Sequence, residues 1–83
     1  MYGIWEVITN LQDHYRPEMI EVRVRADEET LTFQFRWGSG IKKGWNYAFS
    51  KTGLSNLSVD RAIHILSRSF DKAREIDKNA DPS

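Results

Sequence analysis

Residues 19–50 read MIEVRVRADEETLTFQFRWGSGIKKGWNYAFS, and the identity of every second residue in that stretch decides the fold. Ile20, Val22, Val24 and Ala26 alternate with polar neighbours, as do Leu31, Phe33, Phe35 and Trp37, and then Trp45, Tyr47 and Phe49. A period of two is that of a pleated strand half-buried against a core, so three strands are expected. Pairing Ala26 with Leu31 keeps inward residues opposite inward ones, and a slip of one residue would turn each side chain to the wrong face. The same register sets Glu21 opposite Arg36 on the outer face, a favourable cross-strand pair. In the second hairpin the matching arrangement sets Trp37 against Trp45, Phe35 against Tyr47 and Phe33 against Phe49. Such an aromatic ladder requires a cover.

The flanking segments supply one. Over residues 3–15, Ile4, Ile8, Leu11 and Tyr15 recur at helical spacing, with Trp5 widening the stripe. Pro17 stops this helix near Tyr15, because proline disfavours helical geometry at Arg16 and has no N–H to continue the turn. After Phe49, residues 51–57 read as a connection with Gly53 at a turn. Ser58 then suits an N-cap, Asp60 the positive end of a helix dipole, and Leu57 a hydrophobic staple. Val59, Ala62, Ile63, Leu66, Phe70 and Ala73 form the apolar stripe of a second helix, which fades near Asp77. The polar, Pro-containing residues 78–83 read as a disordered tail. The expected fold is a single α+β domain over residues 1–77. It is a two-layer sandwich of order α-β-β-β-α, with a three-stranded antiparallel meander and both helices on one face. The open face would carry Arg23, Arg25, Thr32, Gln34, Arg36, Asn46, Ala48 and Ser50.

An 83-residue chain has room for one core. Its 12 basic and 12 acidic residues cancel, which argues against a general polyanion binder and against an acidic DNA mimic. Having no cysteine, the chain has neither disulfides nor thiolate chemistry, and a reducing cytoplasm is the expected location. It contains no apolar run of membrane-spanning length, and its N-terminus lacks the order of a signal peptide, so no membrane association is expected.

Little in the sequence points to catalysis. His14 follows Asp13, and His64 stands one turn from Asp60 and Arg68; a shared histidine and carboxylate site is conceivable, but no nucleophile, metal-ligand spacing or paired-carboxylate arrangement accompanies them. They read as surface histidines, and no catalytic residue, metal or cofactor is expected. Residues 38–44 superficially resemble a phosphate cradle, yet a strand follows where a P-loop requires a helix N-terminus. The segment reads instead as a hairpin tip, with Ile41 between glycines and the pair Lys42 and Lys43 as an anchor for a partner protein.

The remaining candidates are surfaces. Arg23, Arg25 and Arg36 spread over the open face, and Arg61, Arg68 and Lys72 run along the second helix beside Ile65. Ile65 and Ile76 lie about 100 to 120° from the main stripe. Packing against the edge of the first helix is their expected use, with an interaction patch shared with Val7 as the alternative. The outer strands are both sheet edges, where Arg23 and Arg25 discourage uncontrolled pairing but a partner strand could still add. The helix-sheet-helix order resembles that of double-stranded RNA-binding domains. That family places a lysine cluster at the start of its second helix, however, whereas residues 58–63 here offer Arg61 alone. The leading expectation is a small non-enzymatic protein-binding module, a regulator or inhibitor acting by surface occlusion, a style common among phage and mobile-element proteins. The alternatives are a nucleic-acid-binding domain using the sheet-face arginines and the lysine tip, and a homodimer.

Overall fold

The computed structural model describes residues 3–38 and 43–80. In chain order it contains α1 (Ile4–Tyr15), a single 3-10 turn (Arg16–Glu18), β1 (Glu21–Ala26), β2 (Thr30–Trp37), β3 (Lys43–Ser50), α2 (Lys51–Ser55) and α3 (Val59–Ala80). The strands form one antiparallel sheet in the order β1-β2-β3, and α1 and α3 pack on one face of it around a core that includes Val7, Leu11, Tyr15, Phe33, Phe35, Leu66 and Phe70. This is the α+β sandwich read from the alternation, with α2 added.

The first hairpin has the expected register: Ala26 faces Leu31 and Glu21 faces Arg36. The second does not. Phe35 faces Trp45, Phe33 faces Tyr47, Leu31 faces Phe49, and Trp37 meets Lys43 instead of Trp45. The shift is by two residues, so every ring keeps its face and alternation cannot distinguish the two pairings. The observed one continues the ladder to Trp37 and Lys43, shortening the loop to be closed. At the other end it brings the Lys51 N–H to the Glu29 carbonyl at 2.7 Å.

α1 buries Val7, Leu11 and Tyr15, with Ile4 and Ile8 flanking them. Trp5 does not widen the stripe: it lies about 200° around the helix from Val7 and is 76% exposed. The α-helix does end at Tyr15, but Arg16 keeps right-handed helical angles before Pro17 and the chain tightens into the 3-10 turn. Met19 then turns left-handed at φ 59°, while its N–H donates to the Arg16 carbonyl and the Ile20 N–H to the Tyr15 carbonyl. These paired bonds are a Schellman closure, with Ile20 buried beneath it.

Ser50 ends β3 and caps α2, its Oγ accepting the Gly53 N–H at 2.9 Å, so the segment read as a connection is a short helix that drops Leu54 into the core. Ser58 caps α3 as expected, accepting the Arg61 N–H at 3.1 Å. Ala62, Leu66 and Phe70 are fully buried. α3 runs past Asp77 to Ala80, so three residues of the expected tail are helical; residues 81–83 lie outside the described residues.

Candidate functional site

The open sheet face is polar, as expected. Its rows run Glu21, Arg36, Gly44; Arg23, Gln34, Asn46; and Arg25, Thr32, Ala48. The arginines do not make a free cationic surface, because Arg23 Nε donates to Glu21 Oε1 and Arg25 lies 3.9 Å from Asp27. Arg36 is exposed on the central strand, in the end row of this face beside Glu21. Of the hairpin tip, Ile41 and Lys42 lie outside the described residues. Lys43 belongs to β3, where its Nζ donates to Asp77 Oδ2 at 2.7 Å and ties the strand to the last turns of α3.

His14 packs edge-on against Tyr15 and borders a shallow cleft with Asn10, Leu11, Ile63 and Ser67, whereas His64 is exposed on α3. Among the described residues, no group of three or more histidine or carboxylate side chains is placed to hold a metal ion.

Between α1 and α3 lies a polar seam that sequence reasoning missed. The Tyr15 hydroxyl donates to Asp71 Oδ1 at 2.8 Å, and Arg74 bridges Asp71 and Glu18 while lying over the rings of Tyr15 and Phe70. Burial, reinforced by the bond to Asp71 and that carboxylate's charge, pushes the Tyr15 hydroxyl well above its ordinary ionisation range. Arg74 Nε is buried without a hydrogen-bond partner, but the other groups of the seam bond one another across the two helices, so the seam reads as a clamp between them.

The opposite flank of α3 is different. Ile63, Ser67, Asp71 and Arg74 are the α3 residues turned toward α1, while Ala62, Leu66 and Phe70 point down onto the sheet. At about 100° per residue, this places Ile65, Ser69 and Ile76 on the side away from α1, above β3. Ala73 and Asp77 meet Trp37, Lys43, Gly44 and Trp45 in a cleft there, which fixes the same orientation independently. Ile65 and Ile76 therefore do not pack against α1, and Val7, fully buried, shares no surface patch with them.

β3 is only partly covered by α3. Trp45, Tyr47 and Phe49 are half-buried, in a continuous row with ring centroids 5.7 and 4.8 Å apart, and Ile76 above them is 61% exposed. Arg61, Arg68 and Lys72, all exposed, lie on the upper shoulder of the same flank by helical geometry together with the exposed Glu75, whereas Asp60 and Asp71 fall on the α1 side. Helical geometry thus puts Arg61, Ile65, Arg68 and Lys72 on the β3 side of α3, above aromatic rings that pack against the core as expected but are only partly buried. No helix described here is long and apolar enough to cross a membrane. No family model, curated protein or solved structure matches the chain.

Proposed function

We propose that this protein is a non-enzymatic binding module that engages another protein through the flank formed by β3 and α3, regulating or inhibiting it by covering its surface. The observation that carries the reading is the partly buried row Trp45, Tyr47 and Phe49 on the flank that also holds partly buried Ile65 and exposed Ile76, with Arg61, Arg68 and Lys72 above it. Aromatic residues and arginine are the types enriched where protein surfaces meet, and contiguous exposed apolar area marks such sites.

A photo-crosslinking residue placed at Tyr47, compared with one at Gln34 on the open face, tests the assignment in lysate. The reading expects a discrete protein adduct from position 47 and none from position 34. Adducts from both positions alike, or only nucleic acid from either, would refute it.

A further inference from the structure

The sheet's two edges are finished differently. The Asp27 N–H donates to the Thr30 carbonyl, which makes that facing pair hydrogen-bonded and, by strict alternation, turns the N–H and C=O of Val22 and Val24 outward from β1. The start of that edge is capped. Gln12 of α1 accepts the Val22 N–H at 3.0 Å and donates to the Ile20 carbonyl at 2.8 Å, imitating a neighbouring strand.

On the other side, the Lys51 N–H to Glu29 bond fixes the phase of the β2–β3 ladder, so Trp45, Tyr47 and Phe49 bond inward to β2. Gly44, Asn46 and Ala48 therefore present their backbone groups to the edge. Among the described residues no side chain bonds those groups. Proteins usually guard such an edge with charged side chains, proline or a bulge; the stretch from Gly44 to Phe49 has no charge and no proline, and its pairing with β2 is unbroken.

We propose, resting on the protein-binding reading above, that β3 accepts an extended acidic segment of a partner protein as a fourth strand. Backbone pairing would supply affinity and alternate side chains specificity, as in other strand-addition complexes. The acidic character follows from the shoulder above the edge, where Arg61, Arg68 and Lys72 outnumber the neighbouring Glu75. It also disfavours a second copy of this chain as the occupant, because a twofold axis perpendicular to the sheet beside β3, which pairs the two edges antiparallel, would bring the two basic shoulders together. Along α3, Arg61 and Lys72 are separated by about 16 Å. Two helix-facing residues four apart on an added strand are separated by about 14 Å. Glutamates at those two positions would reach the two cations, with an apolar residue between them against Tyr47 and Ile65. Opposite the small residues Gly44 and Ala48, the outward-facing positions can be of any polar type.

The test uses the full chain and a synthetic probe, the acetylated and amidated peptide Thr-Glu-Thr-Ile-Thr-Glu-Thr, with a lysine-for-glutamate version as control. Titration followed by amide NMR and hydrogen exchange is expected to shift Gly44, Asn46 and Ala48 and to slow their exchange by about tenfold or more, leaving the amides of residues 45, 47 and 49 unchanged. The lysine peptide should bind at least about tenfold more weakly to the wild type, and R61E/K72E should reverse that preference. Binding without protection at residues 44, 46 and 48, no peptide binding at all, or a free protein whose edge amides are already protected in a dimer seen by light scattering would each overturn strand addition. Loss of the peptide effect with retention of the Tyr47 crosslink would sink this inference alone and leave the protein-binding reading standing.

Discussion

Replacing Phe70 by alanine should remove the largest single contribution to the fold. The ring is fully buried and stacks on Phe35 at 4.3 Å, and it meets Tyr15 at 5.1 Å, Trp37 at 5.2 Å and Trp45 at 5.6 Å. The Arg74 guanidinium lies over its outer side at 4.8 Å. One side chain therefore joins β2, β3, α1 and the α3 seam. Truncating a buried phenylalanine costs about 3 to 5 kcal/mol through lost transfer energy and the cavity left behind. The upper half of that range applies here, because stacked neighbours on both strands cannot collapse without breaking the ladder. At about 0.05 to 0.15 kcal/mol per residue, a chain of this length has a total stability of about 4 to 12 kcal/mol, so the variant should lose at least about a third of it. Urea unfolding followed by far-ultraviolet circular dichroism and tryptophan fluorescence measures the difference. Ile76→Ala, on the same helix but exposed, serves as the control and should fall within about 0.5 kcal/mol of wild type. A loss below about 1 kcal/mol for Phe70→Ala would show that the helix does not cover the sheet in this way.

Tyr15→Phe should cost about 1 to 3 kcal/mol at neutral pH through the lost bond to Asp71, and it should change the alkaline limb of the stability curve. Above pH about 10 an unfolded tyrosine loses a proton that the buried hydroxyl retains, so the wild type weakens as pH rises while the variant lacks that component; parallel pH profiles from 8 to 11 would contradict the assignment. Gln12→Ala should remove two hydrogen bonds from the β1 edge, lowering stability by about 1 to 3 kcal/mol and promoting concentration-dependent association visible by light scattering. Met19→Gly should raise the melting temperature, because Met19 is 86% exposed and left-handed. Relief of that backbone strain is worth about 1 kcal/mol, or about 4 to 8 °C for a domain of this size.

Alternation and helical periodicity carried the architecture: the three strands, their faces, the first register and the Ser58 cap all follow from side-chain chemistry within a few residues. Features whose determinants are distant in sequence were not readable in the same way. The second register differs from its alternative by a full pleat period, and the choice falls to the length of the closing loop. The helix at Lys51–Ser55 rests on one serine that must serve as strand end and cap at once. The Tyr15, Asp71 and Arg74 clamp spans residues more than 50 apart, and no local pattern marks it. Of the candidate surface residues, Arg61, Ile65, Arg68 and Lys72 were visible as a stripe, but not the aromatic row they border.

That row was hidden because alternation reports which face a side chain takes and not whether anything lies above it. Packed helices sit about 8 to 10 Å apart, and strands about 4.8 Å apart, so two adjacent helices could cover three strands if α1 stood squarely over β1. Gln12 of α1 reaches the outward N–H of Val22, so α1 borders that edge of the sheet. α3 lies closest to β3 and sends Phe70 across to stack on Phe35 of β2. The rings of β3 are partly buried, whereas Phe33 and Phe35 of the central strand are fully buried. Side-chain bonds close part of one edge and none among the described residues closes the other, so Gln12→Ala should free the β1 edge while leaving the exposure of Trp45, Tyr47 and Phe49 unchanged.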